Sequence, residues 1–365
     1  MGNKSLRTRL LVFAIGLAVS GVLAAMVHEI ARQYLQQTLP APLNQWIESL
    51  YPRLALIRTQ ASPAWWDSLL QGVLFRIRLA FLLGFALWEY ARPLCKPPLD
   101  PAQTIPLLRA KRITQVYYAL SIWYASDWLV QLEALSQWTP FYQPVFLLKI
   151  LQLPLLSASA FSWLFGCLIL SGLLVLVRVA PVFNALIHTI LFVILHGYLI
   201  SFHKIDHTYS AWMYIGFWMP LLLWSAQKAS RKGLTFVPKL DLWAMQASIG
   251  LLYAMAAAEK ILVSGWAWLR ADNLQGYLLE QGTALGQWVA QFSWLCQILV
   301  VGAWSFEAGF LAAILLRRGI GLFLTTGILF HWSTALLLNA GGWFSPWIAA
   351  YLVFLPWEKV SWPRF

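Results

Sequence analysis

Four places in the sequence set side chains able to move a proton in or beside apolar runs. FHKIDHTYSAW, residues 202–212, gathers His203, Asp206, His207 and Tyr209 at the edge of an apolar run. YAMAAAEKILVSGWAWLRADNL, residues 253–274, ends its apolar part on Lys260. Glu307 sits inside the run 291–316, and His331 inside the run 319–338. A charged residue at the centre of such a run costs roughly 2.5–3.5 kcal/mol to insert, so it persists where a partner or a function holds it. A lysine ammonium dried by its surroundings loses part of its preference for the charged form, and the free amine can then take a proton. A neutral imidazole both donates and accepts, which suits His207 and His331 to holding a polar substrate.

Each residue also has a plainer reading. Lys260 on its long stem can snorkel from a helix end to the headgroups. Glu259 beside it works against a free amine, although neighbouring residues on a helix point about 100° apart. His207 can be a wetted loop histidine, and Glu307 and His331 can be structural partners of each other. His203 and His207 are four apart, the spacing of a two-histidine metal site on a helix, with His196 seven residues earlier. The six histidines of the chain do not form the repeated boxes of membrane di-iron oxidases, so no metal is expected. Arg76 and Arg78 interrupt the run 68–89 and read either as rim residues or as an anion site in the bundle.

The elements that must position these groups are membrane spans. Of 365 residues, 60% are hydrophobic and 11% charged, whereas soluble domains average about 45–50% and 25%. A water-soluble shell cannot be built from that, and 22 tryptophans suit the water–lipid boundary. Apolar runs at 10–27, 68–89, 114–131, 157–177, 182–200, 208–226, 242–262, 291–316, 319–338 and 345–356 predict an all-α polytopic bundle of roughly 8–10 spans. With the N-terminus cytoplasmic, the inner segments carry most of the 26 Lys and Arg, among them Arg109, Lys111, Arg112, Arg178, Lys239 and Arg317. The net charge of +12 is therefore read as membrane topology and not as a nucleic-acid footprint. Residues 1–67 are expected to form a retained signal-anchor span followed by an external segment, in which Leu43, Trp46, Ile47, Leu50, Tyr51 and Leu54 predict an amphipathic surface helix. Residues 68–356 make the bundle and 357–365 a cytoplasmic tail, all within one membrane domain. By this topology the His207, Lys260 and His331 stretches belong to the outer half of the membrane, and Glu307 near its middle. The expectation is that they meet in one apolar pocket open to the outer face.

Those stretches also carry a family resemblance. DHTYSAWMYIG, residues 206–216, is similar to the Asn/Asp-His-Ser/Thr-Tyr segment of the HTTM (horizontally transferred transmembrane) domain, the membrane part of vitamin K-dependent gamma-carboxylases. YAMAAAEKILVSGWAWLRADNL resembles its Tyr-x-x-Ala-Gly-x-x-Lys segment, with Ala-Ala in place of Ala-Gly and Glu259 before the lysine. FHWSTALLLNAGGWFSPWIAAYLVFLP, residues 330–356, resembles its Phe-His segment, and SFEAGF puts Glu307 where that family has an acid. The resemblance covers residues 70–356. It implies a membrane domain that binds a reduced quinone, with Lys260 as the base that deprotonates it. It further implies His207 holding the reacting carboxylate or CO2, and His331, with Glu307 and Tyr209, on the cofactor side.

Two functions follow as expectations. The first is a quinone-using, carboxylase- or epoxidase-like lyase acting on an exported peptide or lipid at the outer face of a bacterial-type inner membrane. The second is a non-enzymatic maturation or export factor for a secreted peptide of the toxin type, working with a small partner protein. A transporter fits less well, because no inverted repeat or matched pair of broken spans is apparent.

Overall fold

The structure is a computed structural model that describes residues 14, 18, 21, 22, 25–50, 71, 104–126, 128–202 and 208–360. The chain forms two compact units, one from Met1–Lys96 with Ala258–Trp268 and one from Pro97–Ala257 with Leu269–Phe365.

In the first unit, residues 25–35 are helical and a tight turn with Gln37 in the left-handed region leads to helix α1, Ala41–Leu50. The Tyr34 hydroxyl donates to the Glu48 carboxylate at 3.2 Å and ties the two helices together. One turn earlier, Arg32 donates to Glu29 through Nε at 2.9 Å and Nη2 at 2.6 Å, holding that carboxyl down at about 2. The amphipathic helix expected around Leu43, Trp46 and Ile47 is present as α1, with Trp46 on its exposed side. Tyr51 and Leu54 lie outside the described residues, as do Arg76 and Arg78.

The second unit is built almost wholly from helices: α2 (Leu107–Ala125), α3 (Trp128–Leu135), α4 (Ala158–Leu176), α5 (Pro181–Ile200), α6 (Ser210–Arg231), α7 (Leu240–Ser264), α8 (Ala271–Gln281), α9 (Ala284–Ala290), α10 (Ser293–Leu316), α11 (Ile320–Leu338) and α12 (Pro346–Ala350). The last residues of α7 belong to the first unit. Strand β1 (Thr104–Pro106) pairs antiparallel with β2 (Phe236–Pro238). Local chemistry sets several ends. Ser157 and Ser345 cap α4 and α12 by accepting from the amides of Ala160 and Ile348. Pro181 opens α5, where a missing N–H costs nothing. Arg317 and Gly319 take left-handed conformations that stop α10 and turn the chain into α11, and Asn339 stops α11 the same way.

Among the described residues, five helical stretches are long and apolar enough to cross a membrane: Ala158–Leu176, Pro181–Ile200, Leu240–Leu269, Ser293–Leu316 and Ile320–Leu338. They turn large apolar side chains such as Trp163, Ile190, Ile298, Leu322 and Leu329 outward. A water-exposed surface of that kind is unstable, whereas lipid tails cover it at no cost. The protein is a multi-pass, all-α membrane protein. The runs 157–177, 182–200, 291–316 and 319–338 correspond closely to α4, α5, α10 and α11. The run 114–131 is instead divided into α2 and α3, and 345–356 is the short α12 followed by a 3-10 turn, Tyr351–Phe354. The runs 10–27 and 68–89 fall largely or wholly outside the described residues.

One end of the second unit gathers the basic segments assigned to the inner side. Arg109 reaches the Phe354 carbonyl at 3.1 Å and faces Glu358 at 3.9 Å. Burial draws the Arg109 guanidinium below its ordinary range, and Glu358 offsets part of that. Lys239 is likewise lowered by burial and by the charges of Arg317 and Arg109, which puts all three near one another. Arg112 donates to the carbonyls of Trp357 and Val360 and so pins the segment after α12. Arg112→Ala removes both charge-assisted bonds, and the segment at 354–360 is expected to be cleaved several-fold faster in limited proteolysis. Unchanged cleavage would mean that other contacts hold it.

Candidate functional site

Polar side chains meet deep in the second unit. Tyr253 lies on α7, Glu307 on α10, His331 on α11, and Tyr351 at the end of α12. At 1.5 Å per helical residue these positions on α7, α10 and α11 are about 20, 14 and 17 Å from the basic end, which is close to mid-depth in a core of about 30 Å. The Tyr253 hydroxyl is 2.6 Å from His331 Nε2 and 2.8 Å from the Tyr351 hydroxyl. With the imidazole neutral and its proton on Nδ1, Tyr253 donates to Nε2 and accepts from Tyr351. The three groups then form a directed chain along which a proton can be passed. Glu307, only 4% exposed, is close enough to act electrostatically on Tyr253.

Aromatic rings enclose this chain. Trp347 stacks on His331 with centroids 5.9 Å apart and meets Tyr253 at 4.9 Å. Phe306 stands edge-on to Tyr253 at 4.9 Å, and Phe310 lies 5.5 Å from it. Gly327 on α11 makes room for Tyr351, since a Cβ there would lie 2.1 Å from its hydroxyl oxygen. Gly250 on α7 does the same for α10, because its Cβ would come within 3.0 Å of the Leu311 backbone. These close approaches bring the three helices together at the depth of the polar groups.

Tyr209 belongs to a second aromatic array, not to this cluster. It lies 5.0 Å from Trp128, 5.3 Å from His196 and 6.0 Å from Tyr124. The short segment before and into α12 links the two arrays: Phe344 stacks on Tyr124, and Trp347, three residues later, stacks on His331. The Tyr124 hydroxyl also donates to the Phe344 carbonyl at 3.1 Å. His203, Asp206 and His207 lie outside the described residues. Lys260 belongs to the first unit, half-buried, with Nζ 4.6 Å from the centre of the Trp268 ring. That cation–π contact gives the ammonium an apolar partner. Among the described residues no three His, Cys, Asp or Glu side chains converge as a metal site would require.

Of the residues expected to act, the structure therefore brings Glu307 and His331 together around Tyr253. Tyr253 and Tyr351 were not singled out from the sequence. Their signal was a hydroxyl in the middle of an apolar run, because a buried tyrosine seeks a partner for its polar tip. His188 is fully buried on α5, with Nδ1 3.0 Å from the Leu168 carbonyl and its ring edge-on to Tyr118. No family model matches this chain, no curated protein matches it in sequence, and no solved structure matches it in fold.

Proposed function

We propose that this chain is a membrane enzyme of the HTTM type, using a reduced quinone to modify an exported peptide or lipid at the outer face of a bacterial-type inner membrane. One observation carries the reading. Tyr253 and His331, from two stretches of the gamma-carboxylase resemblance, share a hydrogen bond walled by aromatic rings, and Glu307, from a third, lies close enough to act electrostatically on Tyr253. The donor set suits a hydroquinone: two phenols and an imidazole match its hydroxyl groups, and Trp347, Phe306 and Phe310 offer flat surfaces to its ring.

Tyr253, His331 and Tyr351 would hold the quinone, and Glu307 would bias the protonation of that set. When bound, a hydroquinone would supply the four electrons that reduce O2, one oxygen atom leaving in the quinone epoxide and the other in water. His331 takes a proton at Nε2 or returns it through Tyr253 to Tyr351. The resemblance gives Lys260 the part of base toward the hydroquinone hydroxyl and His207 that of holding the acceptor's carboxylate. An exported peptide and a small partner protein belong to the same reading.

The test is purified protein supplied with a vitamin K-type hydroquinone and oxygen, with the epoxide quantified. The intact protein forms epoxide. Lys260→Ala, at unchanged yield and melting temperature, loses about 100-fold or more of the rate, the usual size of a general-base contribution. Full activity in Lys260→Ala would remove the assigned base. Absence of epoxide from the intact protein would remove the quinone reading.

A further inference from the structure

Between α2, α4, α5 and α6, at the basic end of the second unit, lies a cleft of about 130 Å³. A single water needs only ~10–15 Å³ by the same measure, so the cleft has room for a polyatomic group. Lys111 and Arg178 flank it, and Gln115, Gln227 and Ser230 add amide and hydroxyl donors, while Val175 and Leu223 contribute apolar surface. No carboxylate stands among the described residues that line it. Neither cation is ion-paired among the described residues, whereas Arg109 at the same end has Glu358. The start of α5 at Pro181 also borders the cleft, which adds the positive end of a helix dipole. Lys111 is partly buried and Arg178 lies exposed at the rim, so both cations can turn onto an anion seated in the cleft. Beside the recess, Leu173, Val177 and Phe183 are exposed apolar side chains.

We propose that this cleft is a binding site for a phosphate group, held by Lys111 and Arg178 with Gln115, Gln227 and Ser230 as neutral donors. The phosphate comes either from an anionic phospholipid, whose chains would lie along Leu173, Val177 and Phe183, or from a soluble phosphate.

The full chain is purified in a mild detergent and exchanged into phosphatidylglycerol, phosphatidylcholine or inorganic phosphate; retained lipid is read by native mass spectrometry and stability by thermal melting. The site predicts that phosphatidylglycerol is kept over phosphatidylcholine. Lys111→Gln with Arg178→Gln should lower that retention roughly tenfold or more, as loss of two charge-assisted contacts does. The charge-matched control, Arg318→Gln with Lys359→Gln, should keep it. If the double variant fails to fold, Gln227→Glu serves instead, since a carboxylate in the recess repels phosphate while leaving both cations. Protection by inorganic phosphate alone, lost in the same variants, assigns the site to a soluble phosphate and supports the same chemistry. Equal retention of both lipids with no protection by phosphate would overturn the proposal, as would equal losses in the cleft and control variants.

Discussion

Tyr253→Phe is expected to leave the bundle assembled but weaker by about 1–3 kcal/mol, the usual cost of leaving buried polar groups unsatisfied. The substitution keeps the ring and its contacts with Phe306, Phe310 and Trp347. What it removes is one oxygen that serves both His331 Nε2 and the Tyr351 hydroxyl. Side-chain hydrogen bonds between membrane helices average only about 0.6 kcal/mol, because the unfolded chain finds substitute partners in the membrane. The larger figure is expected because two groups lose their partner at once, at a site where Tyr253 is only 3% exposed. A double-variant cycle with Tyr351→Phe separates the effects. The two tyrosines share a bond, so the combined change should cost less than the sum of the singles. Additive costs in a denaturation series would mean that the bond contributes nothing.

Gly327→Ala should have the larger effect on folding, with a sign opposite to propensity. In a helix interior alanine is favoured over glycine by about 1 kcal/mol. Here the added Cβ would lie 2.1 Å from the Tyr351 hydroxyl oxygen, 2.8 Å from its Cζ and 3.0 Å from the Phe306 Cζ. Tyr351 is a stiff side chain anchored at its tip, so relief moves α12 away from α11 or breaks the bond to Tyr253. Overpacking of this kind costs about 1–3 kcal/mol, and the lost bond adds to it, so the contact outweighs propensity. A melting temperature several degrees lower is expected, with partial recovery when Tyr351→Leu is added to clear the space. A Gly327→Ala protein as stable as the parent would show that α11 and Tyr351 are not packed this closely.

Much of the frame could be read from residue types because a membrane leaves few choices. Each apolar run must close its own backbone hydrogen bonds, so length and hydropathy gave α4, α5, α10 and α11 nearly to their ends. Reading failed where the determinant was not hydropathy. Thr104–Pro106 and Phe236–Pro238 pair over three residues each, too few for a period-two pattern. Helix α2 ends at Ala125 inside a run that looks continuous, with the Ser126 amide bonded back to the Trp123 carbonyl. The site was partly legible for a related reason. Glu307 and His331 stood out because charge in an apolar run is costly. Tyr253 and Tyr351 did not, since tyrosine passes as an aromatic filler until its hydroxyl is found facing another polar atom. Among the described residues, Arg109, Lys239, Arg317 and Glu358 lie near one another at one end of the second unit.

In the proposed function, Tyr253, His331 and Tyr351 hold a quinone. The most direct measurement is organic extraction of the purified protein, with quinone quantified per chain in the parent and in Tyr253→Phe. Near-stoichiometric quinone is expected in the parent, and its loss in the variant at equal protein recovery. A parent without quinone, or a variant that keeps the full complement, would contradict it.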